Sequence, residues 1–231
     1  FPNHDWSYHN HRNSDIDTYS KACKELVKRG YWVFRMGSIV NKKFSCKNDK
    51  VIDYPFIDNK NDFLDIWLMA NCTFCITTSS GLDCVAFAFR KPMLVLNLLP
   101  VADIMSYTNC LTYFKTLKYK NSIKSFTLND YLENNFYSMQ EYQEKDIEII
   151  DMTEDEIYNS VIEIDEKIKK NFKNDDNIEN EKQDRFWKIF LEWDKKNVWT
   201  SNKFKGRGHK LLHPNSKISA TFLSNNPDWY N

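Results

Sequence analysis

Between residues 14 and 98, apolar positions change repeatedly from helical spacing to short continuous runs. A helix is predicted to open at Ser14, with Asp17 as its capping partner, and to end at Gly30. The further predicted elements are strands at 31–36 and 51–54, a helix at 62–71, a strand at 73–77, a helix at 82–90 and a strand at 93–98. Strands that alternate with helices in this way indicate βαβ units. We therefore expect an α/β protein with a parallel sheet flanked by helices.

The pattern is weaker after residue 100 but still marks several elements. They are a strand within 111–117, a short helix at 127–133, a strand at 147–150, a helix at 153–172, a charged break at 173–184, a helical face at 185–193, a basic surface loop at 200–210 and a closing helix at 219–229. Thr127 and Asp130 form one predicted capping pair, and Thr153 and Glu156 form another. The helix that starts at Thr153 is the clearest, because apolar residues follow at helical spacing.

A turn of small polar residues, Thr78-Ser-Ser-Gly, follows the predicted strand at 73–77. A helix N-terminus has unpaired main-chain N–H groups and a partial positive charge, so such a turn is a physical site for an anion. In parallel sheets the turn lies at the carboxyl end of the strand, where ligands bind. Gly81 would let a ligand approach the main chain. The alternative is that Ser79 or Ser80 only caps the helix, and the local sequence leaves both open.

Composition and charge exclude several classes of protein. The 231 residues include 32 Lys and Arg and 32 Asp and Glu, so no basic field favours nucleic acid. No apolar run approaches the ~18 residues of a membrane span and no secretory signal is recognisable, so we expect a cytoplasmic protein. The six cysteines are scattered, which suits a reducing compartment. Only Cys72 and Cys75 have the spacing of metal ligands, and without a second pair we expect no zinc.

Eight stretches, in order over nearly the whole chain, form a recognisable set. They are 5–19 (DWSYHNHRNSDIDTY), 29–37 (RGYWVFRMG), 52–54 (IDY), 62–70 (DFLDIWLMA), 77–83 (TTSSGLD), 89–94 (FRKPML), 185–190 (RFWKIF) and 222–227 (FLSNNP). This set resembles a bacterial family of surface-carbohydrate glycosyltransferases. Members look like GT-B-type enzymes, in which two Rossmann-like lobes enclose the substrates and the C-terminal lobe holds most of the nucleotide sugar.

The resemblance implies a Rossmann-like, nucleotide-sugar-binding lobe over 1–172 and a C-terminal helical extension at 173–231 that packs on it. Members are longer at the front, so the chain is similar to their C-terminal portion, without the N-terminal lobe. The implied reaction moves a sugar from a nucleotide-sugar donor to a surface-polysaccharide acceptor, either a glycan or a lipid-linked glycan. No cofactor is implied. Peripheral association with the cytoplasmic face of the inner membrane is an open alternative to a free cytoplasmic protein.

Sugar transfer requires the charge of the departing diphosphate to be neutralised. The residues expected to bind the donor phosphates are Arg12, Thr78, Ser79, Ser80 and Gly81. The guanidinium of Arg12 matches the geometry of phosphate oxygens. The alternative role of Arg12 is a salt bridge to Asp15 or Asp17.

Arg35 and Asp83 are the candidates for contact with the sugar or the ribose of the donor. Arg35 ends a predicted strand, where residues that face a ligand belong, and its alternative is exposure to solvent. Asp83 could hydrogen-bond a hydroxyl group of the donor, or it could only complement the helix dipole.

The catalytic residue stays unassigned, with His9, His11 and Arg12 as candidates. Histidine titrates near neutral pH, and both rings lie close to Arg12 in the sequence. Asp15 and Asp17 form an Asp-x-Asp pattern, but they open a helix instead of following a buried strand. We therefore expect no metal ion.

Two other functions remain open at this point. A sugar-nucleotide epimerase or hydrolase would use the same lobe and would turn over a nucleotide sugar without an acceptor. A non-catalytic nucleotide- or glycan-binding lobe, or a scaffolding lobe, would need no reaction, and the lack of an upstream half favours it. A Rossmann-type oxidoreductase is disfavoured, because no Gly-x-Gly-x-x-Gly follows a predicted strand.

Overall fold

The computed structural model describes residues 5–38, 40–104, 108–173, 177–197 and 216–231. The helices in these ranges are α1 (Ser20–Lys28), α2 (Asp62–Asn71), α3 (Asp83–Ala88), α4 (Leu128–Glu133), α5 (Met139–Glu144), α6 (Glu154–Lys169), α7 (Asn177–Asn197) and α8 (Ala220–Asn225). The strands are β1 (Val33–Arg35), β2 (Val51–Asp53), β3 (Cys75–Thr77), β4 (Met93–Leu98), β5 (Cys110–Phe114), β6 (Thr116–Tyr119), β7 (Ile147–Ile150) and β8 (Ser216–Ile218). Short 3₁₀ helices cover Ser7–Arg12, Ile16–Tyr19, Tyr54–Phe56 and Val101–Asp103. The basic loop predicted at 200–210 lies outside the described residues.

The main sheet consists of four parallel strands in the order β3-β4-β5-β8. β4 and β5 are buried along their whole length, as expected for the centre of a parallel sheet with helices on its faces. β1 and β2 form a separate parallel pair, and β6 and β7 form an antiparallel pair. The predicted α/β class with a parallel sheet is therefore confirmed, and the arrangement is compatible with a Rossmann-like fold.

α6 connects the region of the β1-β2 pair to the main sheet. It packs against both α1 and β4. The buried carboxylate of Asp165 in α6 accepts hydrogen bonds from Arg29 at 2.6 Å and from the Tyr31 hydroxyl at 2.7 Å. Arg29 follows α1 and Tyr31 leads into β1, so one carboxylate fixes all three elements. None of the helices in the described ranges combines the length and the apolar character that a membrane span requires.

The first predicted helix begins later than expected. The segment from Ser14 contains a 3₁₀ helix at Ile16–Tyr19, and α1 starts only after it. Asp15 is the N-cap, and its side chain accepts a hydrogen bond from the Asp17 N–H at 2.9 Å, which stabilises a tighter turn than an α-helix. The two predicted capping boxes, at the starts of α4 and α6, are confirmed.

The C-terminal part is more than the predicted helical extension. α7 begins inside the predicted break at 173–184, and β8 adds a parallel strand beside β5. The Gln183 side chain joins the two, because its amide donates to Ile218 O at 2.8 Å and accepts from the Ile218 N–H at 2.9 Å. The ring of Trp229 lies 5.5 Å from that of Phe114 in the same hydrophobic core. The segments on both sides of residue 172 therefore share one core.

Candidate functional site

Two clefts meet where the parallel strands end. The larger, of about 1000 Å³, runs along β1 and β3, and the smaller, of about 280 Å³, lies beside Lys115 at the end of β5. Asn13, Ser14 and Asp15 line both clefts. Asn97, in β4, holds this segment, since its side-chain amide donates to the Ser14 hydroxyl at 3.1 Å. Ligands of open α/β sheets bind beyond the carboxyl ends of the strands, which makes this region the candidate site.

The polar turn after β3 is held by its own side chains. The Thr77 hydroxyl accepts from the Ser79 N–H at 3.1 Å and donates to Asp83 Oδ2 at 2.8 Å. The same carboxylate oxygen accepts from the Ser80 N–H at 3.0 Å. Ser79 has a positive φ of 64°, which lets the main chain fold back on itself. Two N–H groups that we expected to contact phosphate are therefore hydrogen-bonded inside the protein.

The turn presents hydroxyl groups to its surroundings. Within the part of the chain that the structure describes, the hydroxyls of Thr78, Ser79 and Ser80 have no hydrogen-bond partner. Thr78 and Ser80 line the larger cleft. A Cβ added to Gly81 would meet no atom within 4 Å, so this position is open. α3, which follows, has six residues and is shorter than the helix predicted at 82–90.

Asp83 is buried at the start of α3 and holds the turn. Its carboxylate accepts hydrogen bonds from the Thr77 hydroxyl and the Ser80 N–H. Burial raises the pKa of Asp83, and these hydrogen bonds oppose the rise. These hydrogen bonds give Asp83 a structural role in the turn, and they engage only one of its two carboxylate oxygens. Asp83 also lines the larger cleft, so its contact with a sugar or ribose hydroxyl stays a prediction.

Arg12 lines neither cleft, although its neighbours His11 and Asn13 do line them. Its guanidinium donates to Asp103 at 2.9 Å, which ties the 3₁₀ helix at Ser7–Arg12 to the one at Val101–Asp103. The salt bridge that we considered as its alternative role does form, but with a carboxylate distant in sequence and not with Asp15 or Asp17. Arg12 is absent from the lining of either cleft, so the structure does not bring it together with the polar turn.

Arg35 lies at the end of β1 and lines the larger cleft. Its side chain is only 12% exposed and pairs with Asp53 at 2.9 Å, at the end of the neighbouring strand. It also donates to the main-chain oxygen of Lys42 at 2.8 Å. The alternative of a solvent-exposed side chain is wrong, because the ion pair holds the guanidinium against the protein.

Asp15 and Asp17 share one cation, the ammonium of Lys42. Lys42 Nζ lies 2.6 Å from Asp15 and 2.7 Å from Asp17. Asp17 also accepts from the Ser45 N–H at 3.0 Å. The hydrogen bond from Lys42 is the main reason that the pKa of Asp17 is lowered to about 2. The two carboxylates therefore stay ionised, with a lysine where a divalent cation would have to bind.

The two histidine candidates occupy different places. His11 is buried, lines the smaller cleft and contacts the Tyr142 ring at a tilt of 42°, with ring centres 5.6 Å apart. Burial, followed by the charge of Arg12, lowers the pKa of His11 to about 4. The ring is neutral at physiological pH and a weak base, since a general base works best with a pKa near the operating pH. The His9 ring contacts the Tyr8 ring at a tilt of 39°, with ring centres 4.0 Å apart, and His9 lines neither cleft.

Lys115 and Asp151 are site residues that the sequence reasoning missed. Lys115 directly follows β5 and is 2% exposed, yet its ammonium lies 2.6 Å from Asp151 and donates to Asn13 O at 2.5 Å. Burial lowers the pKa of Lys115, and the hydrogen bond to Asp151 raises it. Both residues line the smaller cleft. The available signal was a lysine inside the apolar run at 110–117.

The fold and the site together define a mixed α/β protein with clefts at the carboxyl ends of parallel strands. Arg35, Thr78 and Ser80 line the larger cleft, and His11 and Lys115 line the smaller one. No protein-family model, curated protein or solved structure matches the chain.

Proposed function

We propose that this chain is the donor-binding lobe of a GT-B-like glycosyltransferase, which transfers a sugar from a nucleotide sugar to a surface polysaccharide. The observation that carries the proposal is the polar mouth of the larger cleft, formed by residues 13–15, 35–37, 42, 77, 78 and 80. Hydroxyl groups and a guanidinium lie there at the carboxyl ends of β1 and β3, the position in which α/β sheets hold nucleotides. The turn within 77–80 also belongs to the stretches that resemble the glycosyltransferases.

The groups at the polar mouth suit a diphosphate. Departure of a nucleoside diphosphate builds negative charge, which cations and hydrogen-bond donors must offset. Arg35 and Lys42 supply the cations, held by Asp53 and Asp15 respectively. A diphosphate would compete with these carboxylates for charge-assisted hydrogen bonds. The nucleotide sugar is a substrate in this proposal, the acceptor is a glycan or a lipid-linked glycan, and no cofactor is included.

A second candidate function, a non-catalytic binding or scaffolding lobe, is favoured by the surface of α2. This helix leaves Phe63, Ile66 and Trp67 exposed by 71%, 51% and 50%. Neighbouring large apolar side chains on a surface mark contacts with another macromolecule. The two candidates differ in one measurable property, because only the donor lobe must bind a nucleotide.

Thermal-shift measurements on the 231-residue chain test this difference. UDP, GDP, CDP, CMP and dTDP, and sugars activated by them, are added with and without magnesium. A ligand that binds only the folded state raises Tm by mass action. A shift by one nucleotide that is indifferent to magnesium supports the donor lobe, and a shift that requires magnesium makes Asp15 and Asp17 candidate metal ligands. No shift by any nucleotide contradicts the proposal and favours the non-catalytic lobe.

A pair of variants on α3 and its turn locates the ligand. Gly81→Val places a branched side chain in the open space at the turn, so it should leave Tm unchanged and weaken nucleotide binding at least about tenfold, or ~1.4 kcal/mol. Ala88→Val places the same side chain at the exposed far end of α3, and this variant should bind normally. Equal affinities in the two variants would place the nucleotide away from the turn.

A further inference from the structure

The larger cleft separates two sheet edges that face each other. Its lining includes every residue of 30–37, around β1, and every residue of 71–78, around β3. Side chains of a strand point alternately to opposite faces of a sheet. A cleft that is lined by every residue in turn is therefore bounded by the edge of each strand and not by one of its faces.

The ladder geometry gives the direction of the main-chain groups at these edges. The Val33 N–H donates to Lys50 O at 2.8 Å, so Val33 and Arg35 direct their N–H and C=O groups toward β2. The Cys75 N–H donates to Pro92 O at 2.9 Å, so Cys75 faces β4. In parallel ladders the intervening residue faces the other way. The main-chain groups of Phe34 and Ile76 are thus directed to the cleft.

The chain order assigns this gap to a particular strand. A doubly wound sheet has the strand order 3-2-1-4-5-6, in which the chain starts at the centre, winds outward on one side and then crosses to the other. β2 and β1 correspond to places 3 and 2, and β3, β4 and β5 correspond to places 4, 5 and 6. The cleft stands at place 1. A strand at place 1 connects to α1, because a right-handed βαβ crossover links the first two strands.

The segment that leads into α1 is already at the cleft. Asn13, Ser14, Asp15 and Ile16 line it, and the hydrogen bond from Asn97 fixes Ser14 there. A strand in the gap would therefore connect to this segment through residues 5–12, which include the 3₁₀ helix at Ser7–Arg12.

The chemistry of the cleft also suits a strand. Trp32, Phe34 and Trp67 line it and are 58%, 40% and 50% exposed, with Phe74 and Ile76 beside them. A strand that is buried on both faces of a parallel sheet is apolar along nearly all its length. The main-chain edges would hydrogen-bond such a strand and the apolar side chains would cover it.

We propose that the larger cleft is the slot for one further β-strand, apolar and parallel to β1 and β3, supplied by polypeptide on the amino-terminal side of Asp5. The strand merges β2-β1 and β3-β4-β5-β8 into one continuous sheet. It fills the cleft between the two edges and leaves the polar mouth beyond the carboxyl ends open. This strand would complete the sheet whether or not a nucleotide binds at the polar mouth.

Amide hydrogen exchange tests the slot. The 231-residue chain is compared with the same chain carrying a copy of the buried β4 sequence, MLVLNL, ahead of Phe1, and with a control extension that has proline at alternate positions. Proline removes the N–H groups that a ladder needs. We expect the amides of Phe34 and Ile76 to exchange at least tenfold more slowly, and Tm to rise, only with the unsubstituted extension.

Each other outcome contradicts the proposal. Equal protection by both extensions would mean unspecific apolar capture, and protection by neither would mean that the slot does not take a strand. Slow exchange in dilute, unextended chain would mean that β1 and β3 close on each other without a further strand. Slow exchange that appears only at high concentration of the unextended chain would make a second copy the occupant.

Discussion

The carboxylate of Asp83 completes the turn after β3, since both Thr77 and Ser80 donate to it. Asp83→Ala would leave the Thr77 hydroxyl and the Ser80 N–H without their acceptor, at a cost of about 1–3 kcal/mol in the free energy of unfolding. Asp62→Ala, at the exposed start of α2, should cost less than about 1 kcal/mol. Urea denaturation of the two variants checks this, and equal losses would show that the turn does not depend on Asp83.

The buried ring of His11 makes stability depend on pH. Its pKa is about 4 in the folded protein against about 6.5 in the unfolded chain, so the unfolded state binds more protons between these values. The free energy of unfolding should therefore rise with pH from about 4 to 6.5, by up to about 3 kcal/mol from this group, and should lose that contribution as the pH falls.

His11→Phe keeps an aromatic ring against Tyr142 and removes the titration. We expect a smaller increase of stability between pH 4 and 6.5 than in the wild type, measured by urea denaturation. The comparison at pH 7.5 is the control, because there the ring is neutral in both states and only the changed packing and the lost hydrogen bond to Tyr8 O remain. An unchanged slope would assign the pH dependence to other groups.

Lys115 and Asp151 show how far the sequence predicts a site. A lysine inside an apolar run is a local signal, because a buried ammonium needs a partner. Its partners are 36 and 102 positions away, at Asp151 and Asn13, and no local pattern encodes such pairs. The polar turn was predictable as a turn because its small polar residues are also a local signal. That the Thr77 hydroxyl and the Asp83 carboxylate would accept hydrogen bonds from its N–H groups depends on side-chain directions that spacing does not define.

At the scale of elements, the junction of α1 with α6 depends on Asp165. Burial raises its pKa, but hydrogen bonds from Lys169, Tyr31 and Arg29 outweigh burial and lower it. Asp165→Ala should cost about 3 kcal/mol, because it leaves Arg29 and Tyr31 without a shared acceptor. The ionised carboxylate stabilises the fold above its ordinary pKa, and this contribution is lost as the pH falls through the lowered value.

Asp155→Ala is the matched control for this junction. Asp155 also belongs to α6 and pairs with Lys21 of α1, but its side chain is 76% exposed, and exposed ion pairs contribute at most about 1 kcal/mol. Chemical denaturation at neutral pH should thus separate the two aspartate variants by about 2 kcal/mol. Similar losses would show that burial does not set the strength of this contact.

Elements were predictable where local rules define them. β7 has the predicted bounds, and both capping boxes form as the residue types indicate. β8 was not predictable, because Ser216–Ile218 is a three-residue segment without a strand pattern. It is a strand because β5 offers an edge and the Gln183 side chain holds Ile218 beside it. The periodicity of apolar residues along the sequence does not reveal such tertiary pairing.

At the scale of the whole molecule, the alternation of strands and helices predicted a parallel sheet. It did not predict that the parallel strands are divided into two separate sheets. Local patterns give the number and type of strands, whereas the partner of each strand edge depends on which elements are present to fill it. The separation of β1 and β2 from β3 is a property of this kind. Only the assembled topology exposes it.

The shared core predicts that residues 173–231 are required for folding of the rest. Trp229 packs between Phe186, with ring centres 5.8 Å apart, and Phe222, at 4.7 Å, and all three are buried. A chain of residues 1–172 would lose this cluster and would expose the edge of β5. We expect it to lack near-UV circular dichroism and a cooperative denaturant transition, whereas the full chain shows both.

Single substitutions test the same coupling without truncation. Trp229→Ala should lower the free energy of unfolding of the full chain by about 3–5 kcal/mol, because it empties a buried site that lies between the C-terminal helices and β5. Leu191 belongs to α7 and is 39% exposed, so Leu191→Ala should lower the free energy of unfolding by about 1 kcal/mol or less. Denaturation followed by amide exchange in β4 and by far-UV circular dichroism should give one midpoint for Trp229→Ala. Separate midpoints, or a cooperative 1–172 chain, would instead establish two independent units divided near residue 172.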